Sequence, residues 1–317
     1  MFDNVYFNDK ITLFAHLPFA FIKHFGEIFA YLNKIRASTP QWTIVPLIYL
    51  GIKKQIKITL RDNTTVTLTK SNFEKFIGTT QSLASAIKDK NKITSNKKGA
   101  KVQLRFSGRI IYVQSSSAAP LTSEFLSNTH KIISKRNVKG KIVLDIGAYM
   151  GETAMLYAIW GGARHVYSFE PVADLYHVAR NNIALNRLND RITMINSKLV
   201  GAKNKYNTKN SFELSAIKSK EITLTEFVKY KKIKGAVLKL DCEGGEYEII
   251  RDTPSNILRS FKTIHIEYHY GYKDIVKRLK SEGFKVSYTK PGLSIVGLFS
   301  GVKYLGDIIA TRRCCLL

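Results

Sequence analysis

Between Ile56 and Leu68 apolar and polar residues alternate with a period of two: Ile56, Ile58 and Leu60 precede Arg61-Asp62-Asn63, and Val66 and Leu68 follow. Alternating runs on either side of a polar turn predict a β-hairpin. A second hairpin is expected where Val102, Leu104 and Phe106 lead through Ser107-Gly108-Arg109 to Ile111 and Val113. Upstream of both, the first 55 residues read as helices broken at Pro18, Pro40 and Pro46. Ser71 to Glu74 has capping-box spacing for a short helix ending near Gly78. The stretch from Lys88 to Lys101 is rich in Asn, Ser and Lys and reads as an exposed loop. Ser115 to Pro120 reads as a connector, and residues 121–138 as a helix.

From Lys141 the pattern changes. Short apolar runs at 142–147 (IVLDIG), 165–170 (HVYSFE), 192–196 (ITMIN), 236–241 (AVLKLD) and 263–269 (TIHIEYH) are separated by helical segments. The helices are expected over Glu152–Trp160, over Asp174–Asn186, from Gly245, and over Lys273–Ser281, with FKVSYT and LSIVGLFS closing the chain as a hairpin. Buried strands alternating with helices predict an α/β fold with a mostly parallel sheet covered on both faces. The organisation is therefore an N-terminal accessory region, 1–120, and a sheet-forming domain, 121–317.

Composition sharpens this in one respect. The 317 residues carry 50 Lys+Arg against 24 Asp+Glu, a formal charge of +26. Hydrophobic residues at 44% exclude a disordered chain, and three cysteines exclude a disulfide scaffold. A surface this basic attracts polyanions, whether acidic glycan, anionic lipid or nucleic acid. Its densest part runs through Lys88, Lys90, Lys92, Lys97, Lys98, Lys101, Arg105 and Arg109, with Asp89 as the one acid. Cysteine usage and the lack of a secretory signal suggest a cytoplasmic setting, peripheral on a membrane if the basic stretch docks there. Residues 11–32 are apolar but interrupted by Pro18, Lys23 and Glu27, which predicts a buried helix pair before a span. Cys314-Cys315-Leu316-Leu317 has the letters of a prenylation box and reads as an ordinary apolar tail.

Ligands of parallel sheets bind beyond the carboxyl ends of the strands, so the polar strand tips carry the chemistry. The first tip reads Asp145-Ile146-Gly147-Ala148-Tyr149-Met150-Gly151-Glu152. Its glycines permit a tight turn, but the spacing is not that of a dinucleotide fingerprint. Asp145 and Glu152 would repel a pyrophosphate and would suit a ligand carrying an ammonium and a sulfonium, as S-adenosylmethionine does. Glu170, 19 residues after Gly151, stands where a carboxylate accepts hydrogen bonds from ribose hydroxyls. Asn196 and Asp241 end the next strands of the same rim.

The pieces VLDIGAYMGETA (143–154), SFEPVADLYHVARNNIALN (168–186), LTEF (224–227), LKLDCEGGEYEII (238–250) and IHIEYH (264–269) resemble, in that order, the FkbM-type S-adenosylmethionine-dependent methyltransferases. The resemblance is strong over 140–299 and weak over the 56–69 hairpin. It implies a Rossmann-like class I methyltransferase sheet, mostly parallel, with an antiparallel C-terminal hairpin and a smaller N-terminal α+β region. It also implies methyl transfer, commonly to a hydroxyl oxygen of a glycan or secondary metabolite. Asp145, Gly147, Gly151 and Glu170 fall in the cofactor motifs, with Ala148, Tyr149 and Glu152 between and beside them. Asp241, Glu243 and Glu246 fall in the DxEGxE signature. Tyr149 stands where the family usually carries Asn.

O-methylation requires the acceptor hydroxyl to be aligned with the S–CH3 bond and to lose its proton. The expected catalytic groups are Glu243, His269 as base, and Glu267 holding the His269 tautomer. Asp241, Glu243 and Glu267 also form an oxygen-rich set able to hold Mg2+; because such a set equally binds an ammonium, no metal ligand is assigned. Glu246 and Glu248 read as first-turn helix residues favoured by the helix dipole. The partner is then a hydroxyl-bearing acceptor, an acidic glycan or lipid before a nucleic acid, with an anionic membrane surface as a docking site. Two alternatives stay open: an RNA methyltransferase, and a non-catalytic polyanion- or membrane-binding protein on the same scaffold.

Overall fold

The structure, a computed structural model, describes residues 32–61, 65–72, 76, 80, 92–96, 99–115, 135–201, 220–291 and 306–312. The N-terminal part holds a helical segment at 32–38 and helix α1 (Val45–Tyr49) above the expected first hairpin, β1 (Gln55–Thr59) and β2 (Thr65–Thr69). Alternation puts Ile56, Ile58 and Leu68 on one face, where they bury against Ile35, Val45 and Ile48. Pro46 does not break a helix as expected. It sits in the first turn of α1, where its missing N–H has no intrahelical partner to lose.

The stretch expected as a basic loop contains a strand. β3 (Lys92–Asn96) pairs antiparallel with β4 (Gly99–Phe106), which pairs with β5 (Arg109–Ser115). The register sets Lys92 opposite Gln103, and Lys101 opposite Thr94 and Gln114, so no two of these lysines stand directly across the ladder. Ser107 and Gly108 make the second hairpin's two-residue turn, both at positive φ (49° and 77°), as a primed turn requires. The hydrophobic side of this hairpin, Phe106, Ile111 and Val113, joins the same core as Val138, Val143 and Ile192. Thus this hairpin, assigned to the accessory region 1–120, packs on the following sheet. Of the apolar segment 11–32 all but Leu32 lies outside the described residues, as do 121–134, the last five residues and most of the expected 71–78 helix.

Beyond α2 (Lys135–Val138) come β6 (Ile142–Ile146), α3 (Glu152–Ile159), β7 (His165–Phe169), α4 (Ala173–Leu185) and β8 (Ile192–Ile195). There follow β9 (Ser197–Val200), β10 (Lys220–Thr223), α5 (Leu224–Tyr230), β11 (Ala236–Leu240), α6 (Gly245–Asp252), α7 (Ser255–Leu258), β12 (Phe261–Tyr268), α8 (Lys273–Ser281), β13 (Lys285–Tyr288) and β14 (Gly306–Thr311). Seven strands form one sheet in the order β13-β14-β12-β11-β6-β7-β8, with β14 alone running antiparallel to its neighbours. This is a Rossmann-like, doubly wound sheet: the chain steps outward from β6 to β8, then returns to build the other half from β11. The central strands serve both faces. Leu144, Leu238 and Leu240 pack into one core while Val143 and Val237 pack into the other.

The partner of the closing strand differs from expectation. FKVSYT does form a strand, but it pairs with Gly306–Thr311, while LSIVGLFS lies outside the described residues. Gly306–Thr311 is six residues long, and only its insertion between β12 and β13 buries Ile308 and Ala310. A segment that short carries too few alternations to declare itself.

Candidate active site at the carboxyl edge

The switch point of the sheet lies between β6 and β11, whose carboxyl ends bring the turn after Asp145 against the turn after Leu240. Gly147 lies at φ +81°, and a Cβ there would stand 1.7 Å from the Asp241 carbonyl oxygen. The glycine thus answers to the neighbouring strand tip, an approach no side chain permits. Gly147 and Ala148 donate their N–H groups to the Phe169 carbonyl at 3.1 and 3.0 Å, which ties the turn to β7 as well. Gly151, at φ +85°, packs on Ala179 of α4 and starts α3.

Glu170 leaves the end of β7, is 5% exposed, and accepts the N–H groups of Tyr149 and Val172, each at 2.9 Å. Burial raises its pKa against the pull of these two amides. Asn196 donates to the Glu170 and Pro171 carbonyls at 2.9 and 3.2 Å, so it holds the Glu170 loop in place. Tyr149 has φ +48°, a region Asn tolerates better than Tyr. Its backbone N–H makes the contact, and its side chain is 44% exposed.

Asp145 and Glu152, read as carboxylates presented to a ligand, are instead buried at 0% and 2% exposure. Asp145 accepts from the Ser168 hydroxyl at 3.0 Å and faces Lys239 Nζ at 3.3 Å. Parallel pairing sets Lys239 beside Asp145 in register, and both project to the same face. Lys239 Nζ also donates to the Gly147 carbonyl at 3.0 Å and lies 3.4 Å from Asp241 Oδ2. Sequence reasoning passed over Lys239. The signal was present: a lysine inside an apolar, fully buried strand must find carboxylates.

On the β11–β12 side the rim gathers Asp241, Glu243, Glu246, Glu267 and His269. His269 Nδ1 lies 2.9 Å from Glu246 Oε1, and its Nε2 lies 3.8 Å from Asp241 Oδ1 and 3.6 Å from Glu243 Oε2. This corrects the expected orienting partner. Glu246, not Glu267, fixes the imidazole, because the first turn of α6 points it beneath the end of β12. Glu246 is fully buried and its Oε2 accepts the Gly244 N–H at 2.9 Å, so its place near the helix start has a tertiary role besides the dipole. Burial works to lower the His269 pKa, but the Glu246 hydrogen bond and the surrounding carboxylates outweigh it and raise it. Glu267 is raised to about 7 by burial and then by Asp241. The loop after His269 is clamped by the Tyr247 hydroxyl, which accepts the Tyr270 N–H and donates to the Gly271 carbonyl, both at 2.7 Å. Glu243, 79% exposed in its side chain, sits at φ +52°, a second strained position at this edge.

The donor set fits an S-adenosyl cofactor. Glu170 offers a rigidly held carboxylate for a diol, and the crevice edge is lined by carboxylates suited to cationic groups. Its one described lysine is already engaged by Asp145 and Asp241. Among the described residues no helix is long and apolar enough to cross a membrane.

Residues 145–286 match the family model described as methyltransferase FkbM domain. Over 62 residues the chain is 40% identical to the ribosomal protein L11 methyltransferase of Carboxydothermus hydrogenoformans, which is 19% of this chain and 20% of that protein, so it spans a fifth of the relative's length. Among solved structures, M. capricolum TrmK in complex with S-adenosyl-homocysteine is 13% identical, covering 56% of this chain and 66% of the other at a TM-score of 0.39. The M. jannaschii tRNA m1G37 methyltransferase is 12% identical, covering 69% and 58% at a TM-score of 0.41. The glycine turn, Glu170 and the His269 rim all lie within residues 145–286, the part of this chain that matches the methyltransferase FkbM domain.

Proposed function

We propose that the chain transfers the methyl group of S-adenosylmethionine to a hydroxyl oxygen of its acceptor. The observation that supports this reading is the placement, on either side of one switch point, of a preset carboxylate able to accept from a diol and of a rim of carboxylates and imidazole able to take a proton. Glu170 is preset by two backbone amides, and Glu243, Glu267 and His269 stand on the other side. When bound, S-adenosylmethionine supplies a methyl group on a sulfonium that leaves as a neutral thioether. The residues of this chain do the rest. Glu170 accepts from the ribose, and the Gly147–Gly151 turn sets the depth of the crevice. Asp241 adds negative charge where an ammonium docks, and the rim takes the hydroxyl proton as the O–CH3 bond forms. Glu243, Glu267 and His269 are its catalytic groups in this reading. Its acceptor is a glycan, lipid-linked or secondary-metabolite hydroxyl. RNA stays the second reading because of the +26 charge.

Calorimetry with S-adenosylhomocysteine and NAD tests the cofactor half. Binding of the first and none of the second is expected; tight NAD binding alone overturns the assignment. Acceptor panels with radiolabelled cofactor, carrying glycan, lipid and RNA hydroxyls or bases, test the other half.

A further inference from the structure

We propose that Asp241, Glu267 and His269 form a divalent-cation site beside the cofactor crevice. One ligand atom from each, a carboxylate oxygen of Asp241 and of Glu267 and an imidazole nitrogen of His269, lies within 4.8 Å of the others, close enough to share one ion.

Three further observations support a cation rather than a mere cluster. First, Glu246 is a carboxylate that already accepts the Gly244 N–H, so its other oxygen takes a proton from His269 Nδ1 at 2.9 Å. That arrangement leaves the Nε2 lone pair facing the site. A buried carboxylate behind the distal nitrogen is how proteins orient a ligating histidine. Second, the His269 side chain is 6% exposed, and its Nε2 makes no hydrogen bond. Its nearest groups are Asp241 Oδ1 at 3.8 Å and Glu243 Oε2 at 3.6 Å, both acceptors. Third, Glu267 has no hydrogen bond or ion pair among the described residues, although it is half-buried. Lys239 lies against Asp145 and Asp241 Oδ2, whereas the imidazole faces Asp241 Oδ1. Acceptors therefore converge on His269 Nε2, and no hydrogen bond among the described residues satisfies Glu267.

Two carboxylates and one imidazole leave coordination positions open, and the mixed oxygen and nitrogen set suits Mn2+ or Zn2+ better than the all-oxygen preference of Mg2+ or Ca2+. The cation's role, though not its binding, rests on the proposed methyl transfer: an acceptor hydroxyl taking an open position would become more acidic. With the ion bound, His269 and Glu267 serve the transfer by holding it, and Glu243, exposed and next to Nε2, is the member of the rim that receives the proton.

The test is titration of MnCl2, and separately ZnCl2, into the metal-stripped full chain. Calorimetry and the electron paramagnetic resonance signal of free Mn2+ serve as readouts, without cofactor. The wild type, E267Q and D241N are compared, and S-adenosylhomocysteine binding is measured on the same samples. One ion per chain is expected, held at least about tenfold more weakly in either variant. Both substitutions are isosteric, and circular dichroism checks their folding. The site is overturned if neither metal saturates the wild type, or if a folded variant binds as tightly. Failure of S-adenosylhomocysteine to bind the wild type overturns the proposed function instead, and leaves the cation result standing.

Discussion

The ammonium of Lys239 lies 3.3 Å from Asp145 Oδ1, with the two side chains only 5% and 0% exposed, at the junction of the two halves of the sheet. Such a pair is costly to half-remove, because the survivor is left charged and dry. Lys239→Met should lower the unfolding free energy by about 3–5 kcal/mol. Adding Asp145→Asn to it should restore part of that loss. Urea denaturation of both variants checks this; a cost below about 1 kcal/mol for Lys239→Met would show that the pair is not what joins the strand tips.

Glu170 should govern cofactor affinity. Glu170→Ala is expected to weaken S-adenosylhomocysteine binding by about 1.5–3 kcal/mol, the range for hydrogen bonds to a charged group. Burial holds its folded pKa above the ordinary 4.5. Acidification should therefore erode binding at a higher pH than an exposed glutamate would allow, since the protonated carboxyl accepts less well. The stability side has the opposite sign. With the folded pKa raised, the favourable contribution exists below the unfolded pKa and is lost as pH rises through the folded one. Calorimetry across this window on the wild type and Glu170→Ala decides both; parallel pH profiles would remove Glu170 from the ribose.

Gly147 and Gly151 have almost the same backbone conformation, φ +81° and +85°, but different neighbours. An added Cβ meets the Asp241 carbonyl oxygen at 1.7 Å from Gly147, and the Ala179 Cβ at 3.3 Å from Gly151. The φ strain common to both is about 1–2 kcal/mol, so any excess in Gly147→Ala measures the clash. Overpacking adds about 1–3 kcal/mol. Melting temperatures of the two variants should rank Gly147→Ala as the worse, with cofactor binding lost as well. Equal losses would mean that the strand tips can separate freely.

The two asparagines near the end of α4 complete the edge of β5. Asn182 accepts the Gln114 N–H at 2.7 Å and donates to its carbonyl at 3.1 Å; Asn186 does the same for Tyr112 at 2.8 and 2.6 Å. One helical turn matches two strand residues, so the pair stands in for a missing strand. Asn182 also donates to the Met150 carbonyl at 3.0 Å, which links the hairpin to the cofactor turn. Asn182→Ala should cost about 1–3 kcal/mol through stranded buried groups. Hydrogen exchange at the Gln114 amide should accelerate with it; an unchanged rate would mean that the hairpin docks through its apolar side chains alone.

The sequence determined most of the parallel sheet, because strands buried on both faces must be continuous apolar runs, and IVLDI, HVYSF and AVLKL can be little else. It also determined the crevice edge, since polar tips on such strands all emerge at the carboxyl end. The hairpins were legible from alternation and from Ser107-Gly108. What it could not determine is which polar side chain meets which. Lys239 finds Asp145 only through the register of β11 on β6, and Glu246 finds His269 only because α6 packs under the end of β12. Asn182 and Asn186 acquire their purpose only when an edge strand is laid beside their helix. Strand β14 becomes a strand only because β12 and β13 leave a gap of its width. Local pattern reports which groups leave water; the partner that each finds there is decided by elements tens of residues away, at distances of a few ångströms that periodicity does not encode.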